Sequence, residues 1–360
     1  MRTLLTDLDQ TRATPLVLRS GTTLRGGQVR LGRTFSGPAL VTLAPGAQDV
    51  SVEGLELVGW DDLTPHAAEP SFWPLRGFGL QDGTGIWLHG CSSRYFPAEA
   101  AYLRNCDHVE VTRCVFERSL FGLEFDWSTR PSHHVRVTDV FCGSMRGVPG
   151  RLTNGPSLLY PGQDVGADGF VMHGWTDVVI QRLRAVGECF GGVKLVTCDR
   201  VELLDCESGH LMLSGSCYYD RASGLSTQPP NYMGPIIMGS LSVHRSRLDP
   251  DLGHRGRRQL LQGKAVQVSF PHAVSPVFED CTIFAPRQGA LRSNPDQPIY
   301  RHAAIQVAVK ASLKLRGTRF LDREPSSLSP TWVELNDGGA CIEVDSLHER
   351  LVIDGGPRPA

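Results

Sequence analysis

Apolar and polar positions alternate with a period of two over many short stretches, and no stretch sustains the period of about 3.6 that marks an amphipathic helix. Ala101 and Leu103 precede a turn, Val109 and Val111 follow it, and Cys114 and Phe116 come after a bend. Further along, Val193 and Leu195, Val201 and Leu203, then Cys206 and Ser208 repeat that order. Such runs predict short strands, each with one buried face. The phrases "NCDHVEVTRC" (105–114) and "TCDRVELLDC" (197–206) are near copies of each other. A catalytic motif rarely needs a second copy, whereas a structural coil does.

The unit recurs along the chain. Phe170 and Met172 precede Val178 and Ile180, "GLEFDW" precedes "HVRV", "AVQVSF" precedes "FEDCTIF", and "AAIQVAV" precedes "LKLRGTRF". Near the start, "PLVLRSGTTLRGGQVRL" reads the same way. Units of about 20–25 residues before insertions signal a solenoid. Short strands without helical periodicity predict an all-β chain, a parallel β-helix. Coils stack roughly 4.8 Å apart, so equivalent inward residues form ladders, and a small apolar cysteine fits a tight ladder.

On these coils the chain resembles the right-handed parallel β-helix, or pectin-lyase-like, superfamily over about residues 15–356. The resemblance implies one solenoid domain and leaves function open, because such a scaffold serves many activities. Residues 1–14, with Leu4, Leu5 and Leu8, are expected to cap the first coil and cover its unpaired strand edges.

Composition narrows the function classes. Apolar residues make up 41% of the 360 positions, charged residues 21%, and the formal net charge is −2. That balance suits a globular protein and offers no basic footprint for nucleic acid or an anionic membrane. No stretch approaches the roughly 18 apolar residues of a membrane span. Asp7 and Asp9 stand where a signal peptide needs an apolar core. The ten cysteines therefore read as free thiols in a reducing compartment, and a cytoplasmic location is expected, with virion association as the alternative. No pair has C-x-x-C spacing, and no metal site is expected.

Three insertions interrupt the coils, near 143–169, 214–235 and 249–264, and long loops are where function concentrates. Registering the coils on their inward residues puts Tyr102, Glu124, Val171 and Lys194 in one outward column. Arg104, Asp126, His173 and Val196 fall in the next. Glu124 and Asp126, two apart on one strand, share a face with Cβ atoms roughly 6.5–7 Å apart. The structural alternative is a set of solvated cross-strand ion pairs.

The stretch 165–216 is similar in its order of parts to polygalacturonases. In that family an Asn-Thr-Asp-Gly segment, an acidic pair and a Gly-His-Gly segment stack into one site. Asp168-Gly169, Gly187-Glu188 and Gly209-His210 stand at the matching places. The first segment reads Gly-Ala-Asp, the acidic pair reads Glu188-Cys189, and Leu211 replaces the last glycine. The family's later Arg-Ile-Lys is absent. The resemblance implies hydrolysis with Asp168 and Glu188 as acid and base and His210 tuning the acid. Glu124 and Asp126 are available to replace or extend the pair.

Lyase chemistry is the neighbouring option, with Lys194 or His173 as base. Calcium would then be a possible cofactor; otherwise none is expected. Trp127, Tyr218 and Tyr219 are candidates for stacking on sugar rings, as is Trp175, which packs equally well in a turn. Tyr102, Arg104 and Arg257, the last in "HRGRRQLLQGK", complete the expected substrate-binding set. The expected partner is a polysaccharide, acidic ones included, and the protein is expected to be a monomer or homotrimer. The rival expectation is a non-catalytic glycan-binding or tail-spike-like rod.

Overall fold

The computed structural model describes residues 3–6, 9–60, 75–119, 121–126, 132–143, 169–186, 192–214, 239–250, 252, 265–268, 274–284, 304–307, 311–321, 333–335, 341–344 and 353–354. It also describes residue pairs at 148–149, 151–152, 155–156, 164–165, 219–220 and 225–226. Parallel strands wind through three sheets of twelve, eleven and twelve strands, here sheets 1, 2 and 3. One coil gives Thr84–His89 to sheet 1, Ser92–Arg94 to sheet 2 and Glu99–Arg104 to sheet 3. The next gives Asp107–Thr112, Val115–Glu117 and Phe121–Phe125.

The two near-identical phrases occupy equivalent places. Asp107–Thr112 and Asp199–Leu204 are both strands of sheet 1. One inward ladder shows why the alternation repeats: Val52, Leu88, Val111, Val137, Ile180, Leu203 and Val243 stand in register on successive coils. All are fully buried. Burying such a side chain stabilises by about 1.5–3 kcal/mol, and it happens only when neighbouring coils stack.

Cysteines turn the corners. The thiols of Cys114 and Cys206 donate to the Leu88 and Ile180 carbonyls of the preceding coil, both at 3.5 Å. Cys106 and Cys198 do the same to Leu80 and Met172 at another corner. The Cys114 column also holds Ser246 and Thr318, whose hydroxyls donate to the His244 and Phe278 carbonyls. Leu55, Val140 and Leu183 fill the same column on other coils, so the corner takes either an apolar side chain or a small one that donates to the preceding coil. The eight described cysteines are free thiols, and all but Cys341 are buried.

Just outside that corner runs a second ladder: Arg113, Asp139, Arg182, Asp205, Arg245 and Asp280, all left-handed with φ between 47 and 57°. Its charges alternate. Arg182 grips both oxygens of Asp139 at 2.5 and 2.9 Å, and Arg245 grips those of Asp205 at 2.8 and 2.9 Å. A slip of one coil would set like charges side by side.

The strands begin earlier than the sequence pattern predicted. Thr3–Thr6 and Asp9–Arg12 already pair with Thr22–Arg25 and Gln28–Leu31, so the expected cap carries strands of sheets 1 and 2. Backbone pairing with the next coil decides this, not the leucine pattern. All three insertions leave the chain beside sheet 3. They precede Phe170–His173, follow Leu211–Ser214 and precede Val266–Val268. Sheet 3 is therefore the face to search for a site.

Candidate functional site

Strand pairing forms the outer columns of sheet 3. Tyr102 pairs with Glu124, Glu124 with Val171, and Val171 with Lys194. In the next column His173 pairs with Val196, and the Asp126 amide binds the Leu103 carbonyl at 2.8 Å. Tyr102, His173 and Lys194 are nearly buried, although they face outward.

Asp126 is the hub of the cluster. Its Oδ2 accepts the Tyr102 hydroxyl at 2.5 Å, and its Oδ1 lies 3.6 Å from His173 Nδ1. Its backbone carbonyl accepts the indole N–H of Trp175 at 3.0 Å. Trp175 is fully buried and meets Phe125 edge-on, so its role is packing and positioning, not sugar stacking.

Two members escaped the sequence reading. Glu99 forms an ion pair with Arg76, and the Arg76 guanidinium lies 4.0 Å over the Tyr102 ring. Glu99 has the same parity as inward Ala101 and Leu103, so alternation alone assigns it to the core. It opens its strand, where the alternation has not yet set in. The available signal was the register, which sets Arg76 and Glu99 at the same place in adjacent coils.

Electrostatics sort these groups. Burial, with Glu99 and Asp126 beside it, holds the Glu124 carboxyl well above the usual carboxylate range, while Arg76 opposes the shift. Glu124 and Glu99 are hydrogen-bonded, which requires a proton between the two carboxyls. Burial pushes the His173 imidazole below its ordinary value; Lys194 adds to the shift and Asp126 resists it. Burial and Asp126 raise the Tyr102 phenol far above normal, so it serves only as a donor. Arg104 brings a buried Nε with no hydrogen-bond partner among the described residues.

A groove of about 570 Å³ continues the same face toward the first coils, lined in part by Thr42, Gly79, Gln81 and Arg76. Thr42 pairs with Gly79 and Gly79 with Tyr102, so the groove runs along the Glu124 column. A Cβ on Gly79 would come within 2.5 Å of the Ala39 Cβ, which keeps the floor bare there.

Donor atoms of Glu124, Asp126 and His173 lie within 4.8 Å of one another and would fit around a cation. Two carboxylates and an imidazole suit a transition ion better than calcium, which takes six to eight oxygens. His210 stands one coil beyond Lys194, at the start of Leu211–Ser214, and its carbonyl binds the Val193 amide at 2.7 Å. Tyr219 falls in the short strand Tyr219–Asp220. Trp127, Asp168, Glu188, Tyr218 and Arg257 lie outside the described residues.

No protein-family model matches the chain, and no curated protein does. Solved structures match over nearly its whole length. DFA-IIIase from Arthrobacter chlorophenolicus A6 in complex with GF2 is 10% identical, covers 100% of this chain and 88% of its own, and has a TM-score of 0.57. The same enzyme without its lid is 11% identical over 99% and 89%, with a TM-score of 0.54. Pectate lyase Pel9A is 11% identical over 94% and 71%, with a TM-score of 0.44. The chain is a right-handed parallel β-helix. At these identities the likeness shows the fold, so any activity of this β-helix has to come from its own residues.

Proposed function

We propose that the β-helix processes a polysaccharide laid along the outer face of sheet 3, with Glu124 as proton donor and Asp126 as its partner carboxylate. The observation that carries this reading is the Glu124 carboxyl, held well above the usual carboxylate range by burial and its acidic neighbours, beside Asp126 on the sheet face that carries the groove. Glycosidic cleavage needs one carboxyl that keeps its proton near neutral pH and one that does not. Burial and Glu99 supply the first condition. Asp126 supplies the second carboxyl, its Oδ2 fixed in place by the Tyr102 hydroxyl.

In the proposed sequence Glu124 protonates the leaving glycosidic oxygen as Asp126 attacks the anomeric carbon. Glu124, then ionised, takes a proton from the water that releases the sugar from Asp126. Carboxyl oxygens that come within 4.8 Å of each other leave little room for a water between them, which suits the covalent route of retaining enzymes. The sequence-derived pair Asp168 and Glu188 remains available, but the described residues supply a carboxyl pair without it. The fold neighbour DFA-IIIase, solved with GF2 bound, supports the use of this scaffold for a bound ligand.

A second reading, β-elimination, is favoured by one observation. Burial keeps His173 uncharged and able to accept a proton, with Lys194 close by. A panel of neutral and acidic polysaccharides, assayed for new reducing ends and for unsaturated uronates, decides between them. Reducing ends alone, lost in Glu124→Gln, are the expected result. Both signals, lost in His173→Asn, would replace hydrolysis by elimination. No product from any substrate, with a trimer in solution, would sink the catalytic reading in favour of a binding rod.

A further inference from the structure

Sheet 1, a different wall of the solenoid, carries a second cluster that the cleft does not use. Trp87 is the only tryptophan among the large apolar side chains exposed in the described residues, at 36%. It lines a depression of about 420 Å³ together with His108, Glu110, His134, Arg136 and Asp177. The indole folds back toward Gly85. A Cβ on Gly85, whose φ is +67°, would come within 3.1 Å of the indole Cη2. A side chain there would crowd the ring folded back over the strand, which would have to give by a few tenths of an ångström.

The surrounding groups come from successive coils. His108 and His134 stack edge to face with centroids 4.6 Å apart. Trp87 pairs with Glu110, and Glu110 with Arg136, so opposite charges adjoin. Asp177 is held by Arg200 at 2.5 and 3.0 Å. The depression thus combines an exposed aromatic face, imidazole and guanidinium donors, carboxylate acceptors and nearly balanced charge.

We infer that this depression is a second glycan-binding site, which takes a neutral sugar chain stacked on Trp87 and running across successive coils. A sugar ring offers an apolar C–H face to the indole and hydroxyls to the charged rim. Balanced charge gives a polyanion no advantage over a neutral chain. A transition ion on the histidines is the weaker fit, because Arg200 already neutralises Asp177. The choice of a glycan as ligand rests on the reading of the cleft; the location does not. The site would hold the protein on a long substrate while the cleft works elsewhere on it.

The test is affinity electrophoresis through gels containing soluble neutral polysaccharides, run on the full chain as Glu124→Gln to prevent digestion. Trp87→Ala in that background should weaken retention about tenfold or more, as loss of a tryptophan anchor does. Trp87→Tyr should recover most of it. Trp87→Ala alone should leave turnover of short oligosaccharides unchanged. Retention that survives Trp87→Ala, or no retention on any neutral glycan, overturns the site. Trp87-dependent retention by a protein that cleaves nothing would instead overturn the cleft reading and leave this one standing.

Discussion

Replacing Tyr102 by phenylalanine removes one hydroxyl from the centre of the sheet 3 cluster and little else. The ring is 4% exposed, and its stacking under Arg76 at 4.0 Å survives the change. What disappears is the 2.5 Å bond to Asp126 Oδ2. A hydrogen bond to a charged group contributes about 1.5–3 kcal/mol. The Asp126 side chain is 23% exposed, so water takes over part of the lost bond, and the loss should fall near the lower end, about 1.5–2 kcal/mol. Tyr95→Phe is the control. Its hydroxyl meets Arg118 at an exposed site, and surface changes of this kind stay within about 0.5 kcal/mol. Urea unfolding of the three proteins, followed by fluorescence and circular dichroism, gives the comparison. A second readout is independent of stability. Freed from the phenol, Asp126 turns toward His173, and the His173 titration observed by NMR should move up. Equal midpoints for Tyr102→Phe and Tyr95→Phe, with an unmoved His173, would refute Asp126 as the hub.

Two further changes follow from the same structure. The folded-state pKa of Glu124 lies above its unfolded value, so its contribution to stability is complete below that unfolded value and is lost as pH rises through the folded one. Glu124→Gln, fixed in the neutral form, should therefore raise the urea midpoint over wild type at about pH 8 and much less at about pH 4, where both proteins are neutral at this position. His173 titrates in both and cancels in the difference; a gap that widens toward acid would contradict the assignment. At the corner, Cys114→Ser keeps a donor facing the Leu88 carbonyl and should cost under about 1.5 kcal/mol, while Cys114→Leu adds volume at a fully buried place between Cys91 and Val140 and should cost about 1–3 kcal/mol. Thermal melts that rank leucine above serine would show that this coil has room for the larger side chain, and would refute the packing argument.

The sequence by itself determined the solenoid. Each coil must bury one face of each strand, so period-two alternation, near-copied phrases and corner cysteines record the stacking directly. That register also set Tyr102, Glu124 and Lys194 in one column and Asp126 with His173 in the next, because parallel pairing carries equivalent positions straight across coils. The tertiary structure decided the rest. Glu99 and Arg76 joined the cluster from a strand start, where alternation gives the wrong face. Trp175 went inward to brace Asp126, although a turn tryptophan reads equally well as a sugar platform. The upward shift of the Glu124 carboxyl was invisible in the sequence. Its causes are the burial of Glu124 and the Glu99 and Asp126 carboxyls beside it, and these depend on depth and distance, which no single strand's pattern records.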